Sequence, residues 1–233
     1  KAISYGFSTD FWTTQASARP PEKNWLGVAP FAGTADAVTQ NTRKETFWSL
    51  PFSGREITAI AAITGGDIWL GEQASPGRFQ QEAGHYRILH LATHSRADDW
   101  MGEYSYVATA LRGDPLPAKD LYQFALAAEM VVLSACEAGG GKLLRGEGII
   151  GMVRAFTFAG ARSIVASLWV ANDQSTAHLM TAFYRHLKNG LPKDRALQAA
   201  RLELLNDSPA EAHPFFWAGF RVYGLTKPVW GKK

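Results

Sequence analysis

The sequence predicts an α/β domain with a mostly parallel central sheet, and two observations support this. Three continuous apolar runs have the length of buried strands, and segments with apolar residues at helical spacing separate them. Runs of this kind are typical of parallel strands that helices cover on both faces. The three runs cover residues 87–93, 130–136 and 163–169.

The elements before the first run follow the same alternation. Residues 1–24 show no periodicity and include Pro20-Pro21, so an irregular lead-in or linker is predicted there. Short apolar runs predict strands at 25–30 and 67–70. We expect one domain over residues 25–225, followed by a tail at 226–233.

Helix starts and helix faces fill the spaces between the strands. Ser53-x-x-Glu56 matches a capping box and predicts a helix start just before Ile57. Ser75-Pro76 predicts an N-cap followed by the first helical residue. Apolar residues at helical spacing predict three later helices, which contain Ile149, Val153 and Phe156, then Met180, Phe183, Tyr184 and Leu187, then Leu197, Ala200 and Leu204. Further strands are predicted near 104–107 and 216–223.

Composition and charge exclude several classes of protein. Hydrophobic residues make up 46% of the 233 residues and charged residues 19%, as in a globular domain. The net charge of +3 is not gathered into a basic block, so neither nucleic-acid nor membrane binding is expected. The single cysteine excludes an internal disulfide and favours a reducing, cytoplasmic location. The chain begins without Met, which suggests a fragment of a longer protein, with processing of the N-terminus as the alternative.

Two residues suited to nucleophilic catalysis stand at strand ends. His94 follows the run at 87–93, and Cys136 ends the next run 42 residues later. The carboxyl ends of parallel strands form the binding edge of such sheets, and an adjacent imidazole converts a thiol to the reactive thiolate. By spacing alone, a buried structural cysteine is the competing interpretation. His90 and His94 are predicted to lie on a strand, too far apart to share a metal ion, and His90 is predicted to be a hydrogen-bonded core group or one that supports a residue of the site.

Several sequence blocks resemble the CHAT family, a group of bacterial caspase-like domains often fused to TPR repeats. The resemblance covers roughly residues 50–224. Its blocks, in order, are His90-Leu-Ala-Thr-His94, Leu133-Ser-Ala-Cys-Glu137, Gly146-Glu-Gly148, Arg154-Ala-Phe156, Ala159-Gly-Ala-Arg162, Ser167-Leu-Trp169, Met180 with Phe183-Tyr184, and His213-Pro-Phe-Phe-Trp-Ala-Gly-Phe220. The resemblance implies a caspase-like α/β/α sandwich. It also implies a cysteine endopeptidase in which His94 is the general base and Cys136 the nucleophile.

The resemblance extends to residues around the dyad. The backbone N–H groups of Cys136 and Ser95 would bind the oxyanion, although the family usually has Gly in place of Ser95. Ser134 occupies the position that sets the P1 preference in caspases, and it carries no charge, so no preference follows. Ser167 and Trp169 match the strand end that lines the substrate groove. Trp169 could equally be a core residue. Asp173 or Asn172 is expected to cap the next helix.

The predicted activity needs no cofactor and no metal ion. Its partners would be a protein substrate and a regulatory protein or fused TPR-type region, and the glycine-rich segment 139–148 is predicted to become ordered when one of them binds. Two alternatives stay open. One is a catalytically silent caspase-fold scaffold, and the other is a thiol-dependent acyl transferase that uses the same dyad.

Overall fold

The computed structural model describes residues 4–5, 20–33, 38–39, 46–96, 102–134, 136–137, 147–169, 172–207 and 209–231. The strands are β1 (Ser4–Tyr5), β2 (Lys23–Ala29), β3 (Val38–Thr39), β4 (Thr46–Phe47), β5 (Asp67–Leu70), β6 (Tyr86–Leu91), β7 (His94–Arg96), β8 (Tyr106–Val107), β9 (Leu116–Pro117), β10 (Met130–Leu133), β11 (Cys136–Glu137), β12 (Ser163–Ser167) and β13 (Phe220–Gly224).

There are six α-helices in the described residues. They are α1 (Pro51–Thr64), α2 (Pro76–Glu82), α3 (Ala118–Leu121), α4 (Glu147–Phe158), α5 (Asp173–Lys188) and α6 (Lys193–Asp207). All but α3 were predicted from the sequence. Short 3-10 helices lie at Gly71–Gln73, Ala83–His85, Gly102–Tyr104, Pro209–Glu211 and Pro214–Phe216.

Seven strands form the central sheet, in the order β1-β13-β12-β10-β6-β2-β5. All neighbouring pairs are parallel except β12 and β13, which are antiparallel. One apolar core packs α2, α3 and α4 on one face of the sheet, and a second packs α1, α5 and α6 on the other. The predicted α/β/α sandwich with a mostly parallel sheet is therefore confirmed.

A small second sheet continues two of the central strands. Its order is β11-β7-β8-β9, with β7 following β6 and β11 following β10 along the chain. β11 and β7 are parallel, whereas β7–β8 and β8–β9 are antiparallel. The small sheet therefore extends the chain beyond the carboxyl ends of β6 and β10, and His94 and Cys136 are the first residues of its strands β7 and β11.

The two chain ends take a larger part in the fold than the sequence predicts. Ser4–Tyr5 pairs with β13 as the edge strand of the central sheet, within the segment expected to be an irregular lead-in. In the predicted tail, Val229 is buried in the core on the α5 and α6 side, and Trp230 packs against it. Ser4–Tyr5 and Val229 contact residues distant in sequence, so local patterns do not predict these contacts.

Helix α1 corrects the predicted capping box. The helix begins at Pro51, so Ser53 and Glu56 lie within it rather than at its start. The Ser53 hydroxyl donates to the Leu50 carbonyl at 2.6 Å, and Glu56 is buried among core residues. By contrast, the predicted cap of α2 is confirmed, because the Ser75 hydroxyl accepts from the Arg78 N–H.

Candidate active site

The backbone brings the two predicted catalytic residues side by side. β6 and β10 are adjacent and parallel, with His90 opposite Val132 and Leu91 opposite Leu133. Beyond them, β7 and β11 pair with Cys136 opposite His94 and Glu137 opposite Ser95. The side chain of Cys136 and the segment 138–146 lie outside the described residues. The register of two neighbouring parallel strands therefore places the Cys136 backbone directly beside that of His94.

The imidazole of His94 is held by a backbone carbonyl. Its Nε2 lies 2.7 Å from the carbonyl oxygen of Trp48, and the residue is only 4% exposed. A carbonyl oxygen can only accept, so Nε2 carries the proton that is donated. In the neutral ring, the lone pair is then on Nδ1, which is the nitrogen able to act as a base.

Aromatic rings fix the plane of the His94 ring. Phe47 stacks on it with centroids 5.1 Å apart and an interplanar angle of 22°. Phe31 meets it edge-on at 4.8 Å, and Phe31 and Phe47 also contact each other. Because these rings contact the imidazole on two sides, they restrict rotation of the ring away from its hydrogen bond to the Trp48 carbonyl. No sequence motif identifies Trp48, Phe47 or Phe31 as parts of the site.

A buried polar cluster lies beneath the two strand ends. Glu56 Oε1 accepts from the Ser134 hydroxyl at 2.6 Å and lies 2.8 Å from His90 Nε2. His90 Nδ1 lies 3.1 Å from the hydroxyl of Tyr184. All four side chains are buried. Burial raises the pKa of Tyr184 far above its ordinary value, so its hydroxyl is protonated. The prediction that His90 is a core group is confirmed.

The helix after β12 is capped by Asn172, not Asp173. Asn172 Oδ1 accepts from the Ser175 N–H at 3.1 Å. Asp173 Oδ2 instead accepts from the Phe52 N–H at 2.8 Å, and so joins α5 to the start of α1. Burial raises the pKa of Asp173, with a smaller contribution from the negative charge of Glu56, against the opposing effect of the Phe52 hydrogen bond.

The predicted substrate-binding residues Ser134, Ser167 and Trp169 lie at or just beyond the carboxyl ends of the neighbouring strands β10 and β12. Leu133 pairs with Ala166, and Ser134 and Ser167 are the residues that follow them. The Ser167 hydroxyl donates to the Trp169 carbonyl at 2.8 Å. Trp169 is partly buried, and its indole N–H donates to the Phe215 carbonyl at 2.8 Å. Trp169 therefore lies between the end of β12 and the 3-10 helix at Pro214–Phe216.

Within the part of the chain that the structure describes, no helix combines the length and apolarity needed to cross a bilayer.

The solved structures that share this architecture include the following two. The Arg-specific cysteine proteinase gingipain R aligns with a TM-score of 0.55 and 10% identity, over 88% of this chain and 46% of that one. The complex of Porphyromonas gingivalis RgpB pro- and mature domains aligns with a TM-score of 0.54 and 10% identity, over 95% of this chain and 49% of that one. At this identity the likeness establishes a caspase-like fold and no more.

The chain belongs to the CHAT domain family, whose sequence model matches residues 1–225. This confirms the resemblance seen in the sequence, and the match includes the segment predicted to be a lead-in. Two curated relatives are named Tetratricopeptide repeat protein 28. The mouse protein is 34% identical over 109 residues, 47% of this chain. The human protein is 35% identical over 150 residues, 64% of this chain. The aligned parts are only 4% and 6% of the two relatives.

Proposed function

We propose that this chain is a cysteine endopeptidase that cleaves a protein substrate through Cys136 and His94. One observation carries the proposal. The strand register sets Cys136 opposite His94, while the Trp48 carbonyl holds His94 Nε2 and leaves Nδ1 as the basic nitrogen. A base that is oriented by a third group beside a potential nucleophile is the arrangement that nucleophilic catalysis needs.

The reaction follows from these groups. His94 Nδ1 takes the thiol proton, and the Cys136 thiolate attacks the scissile carbonyl carbon. The backbone N–H groups of Cys136 and Ser95 bind the resulting oxyanion. When the intermediate collapses, the peptide C–N bond breaks and His94 gives its proton to the leaving amine. The acyl group stays on Cys136 as a thioester. His94 then takes a proton from water, whose oxygen attacks the thioester carbon. When this second intermediate collapses, the C–S bond breaks, His94 returns its proton to the Cys136 sulfur, and the acid and the free thiol are released.

The substrate is proposed to lie along the edge where β10 and β12 end. Ser134 directly follows β10, and Ser167 is the last residue of β12. Trp169 offers an aromatic surface fixed by its hydrogen bond to Phe215. An indole held in this way can pack against an apolar substrate side chain. We assign no P1 preference.

Control by a repeat region is part of the proposal. The curated relatives are named for tetratricopeptide repeats, and the aligned part is a small fraction of their length. We propose that a fused or partner repeat region regulates the site.

The experiment that tests the proposal uses the single cysteine of the chain. Alkylation by iodoacetamide is followed against pH for the wild type, for His94→Ala and for His85→Ala. His85 is a matched control because it is half exposed and lies just before β6, at the opposite end of the strand. We expect a thiolate in the wild type and in His85→Ala that titrates well below the ordinary value of about 8.5. That low titration should be lost in His94→Ala.

Cleavage of a peptide library then tests the reaction itself, with Cys136→Ala as the inactive reference. A thiol that titrates at its ordinary pKa with or without His94 would contradict the proposed dyad. A reactive thiol with no Cys136-dependent cleavage, but with transfer of an acyl group to added amines, would identify the transferase alternative.

A further inference from the structure

Four buried polar side chains, Glu56, His90, Ser134 and Tyr184, form one hydrogen-bonded group that we call the Glu56 network. The network lies within the core on the α1 and α5 side of the sheet, and its members are at most 5% exposed. Buried polar groups are costly to desolvate, and apolar residues of similar volume often replace them with no loss of stability. Stability alone therefore gives no reason to place a carboxylate there.

The connections of the network point to a different role. A single atom, Glu56 Oε1, is bonded to both Ser134 and His90. Ser134 precedes Cys136 by two residues on the same chain segment, and His90 precedes His94 by four. Glu56 itself is in α1, which starts three residues after Trp48, whose carbonyl holds His94. The three segments that form the site are thus tied together at one carboxylate oxygen.

The geometry of Ser134 explains how this tie acts on Cys136. β10 ends at Leu133, and Ser134 is the first residue past the pairing of β10 with its two neighbours. The next described strand, β11, is only two residues long and contains Cys136. Such a short strand gains little from its own pairing with β7. The Ser134–Glu56 bond anchors the chain immediately before it.

We propose that Glu56 is a positioning residue, which fixes the end of β10 through Ser134 and so holds the Cys136 backbone in register with His94. The importance of this strand register for catalysis rests on the proposed function, whereas the pairing of Cys136 with His94 does not depend on it. A second consequence concerns Ser134. Its one hydroxyl proton is donated to Glu56, so toward a substrate Ser134 presents an acceptor and no donor.

The test compares Ser134→Ala with a matched control, Ser163→Ala. Like Ser134, Ser163 is a buried serine whose hydroxyl makes a short hydrogen bond, in this case to the Glu129 carbonyl at 2.7 Å. It lies at the opposite end of the sheet, at the start of β12. Both variants lose one buried hydrogen bond, so both melting temperatures should fall, and that of Ser134→Ala should fall further because its lost acceptor is a carboxylate rather than a neutral carbonyl.

The rate of amide hydrogen exchange at residues 134, 136 and 137 distinguishes a positioning role for the Ser134–Glu56 bond from a general contribution to stability. We expect Ser134→Ala to raise exchange there roughly 10-fold or more, the factor equivalent to one net hydrogen bond to a charged group. Ser163→Ala should leave it at the wild-type value. Glu56→Gln, which keeps an acceptor oxygen, should stay near the wild type, whereas Glu56→Leu should match Ser134→Ala. Equal exchange at these residues in the two serine variants would overturn the inference.

Thiol alkylation separates this inference from the proposed function. Slower alkylation in Ser134→Ala, with the wild-type rate kept in Ser163→Ala, is expected if the register sets the reactivity of Cys136. An ordinary wild-type thiol would refute the proposed dyad alone, because hydrogen exchange does not depend on the chemistry of Cys136 and still decides the positioning role.

Discussion

Gly219 lies where an added methyl group has no space. A Cβ at this position would come within 2.6 Å of Ser167 Oγ and 2.9 Å of the indole of Trp169. Both neighbours are fixed, since Ser167 donates to the Trp169 carbonyl and Trp169 donates to Phe215. Gly219 is itself held, because its carbonyl accepts from the Leu168 N–H at 3.1 Å. Gly219→Ala must therefore displace the indole, which also disrupts the hydrogen bond from its N–H to Phe215.

The cost can be estimated from these contacts. Overpacking of a well-packed region costs about 1–3 kcal/mol, and loss of one hydrogen bond costs a further 0.5–1.5 kcal/mol or so. Replacing Gly by Ala recovers roughly 0.4–1 kcal/mol by restricting the unfolded chain. We expect the free energy of unfolding to fall by about 2 kcal/mol, from the sum of these contributions.

Urea unfolding of the variant and of a matched glycine variant measures this cost. Gly77 is in α2, and a Cβ there would meet nothing within 4 Å. Gly77→Ala should leave the protein as stable as the wild type or up to about 1 kcal/mol more stable. If Gly219→Ala unfolds at the wild-type urea concentration, the packing of Trp169 described above is wrong. Under the proposed function, Gly219→Ala should also raise KM for peptides more than it lowers kcat.

Two further predictions concern pH and backbone conformation. Hydrogen bonds from Tyr86 and from Lys23 lower the pKa of Asp67 below 3.8, so their stabilisation is present above that pH and lost as the pH falls through the lower folded-state value. Asp67→Asn should therefore reduce the dependence of the urea midpoint on pH between about 5 and 2, and an unchanged dependence would contradict this assignment. Gly160 has φ of +116° and a Cβ there would lie 2.1 Å from a backbone carbonyl oxygen, whereas Gly33 has φ of +72° and open space. Gly33→Ala should cost about 1–2 kcal/mol of backbone strain. Gly160→Ala should cost more than that or prevent folding, and equal losses in the two variants would show that the clash is absent.

The sequence by itself determined the order and type of most elements, because their signals are local. The apolar runs at 87–93, 130–136 and 163–169 are long enough to identify buried strands, and β6, β10 and β12 lie within or at the edge of them. The helices α4, α5 and α6 follow from apolar residues at helical spacing. His94 and Cys136 could be singled out because each stands at the end of such a run, and the resemblance of their sequence blocks to the family suggested the roles proposed for them.

Other contacts of the site were decided only by the tertiary structure, because they join residues far apart in the chain. Glu56 meets Ser134 across 78 positions, and Trp48 meets His94 across 46. In the sequence, Ser53-x-x-Glu56 matched a helix start, yet the helix begins at Pro51 and the carboxylate turns into the core. A local pattern reports which face of an element is apolar. The polar contacts of an element depend on which elements become its neighbours in the fold. Here the packing of α1 against the sheet brings Glu56 to Ser134 and His90.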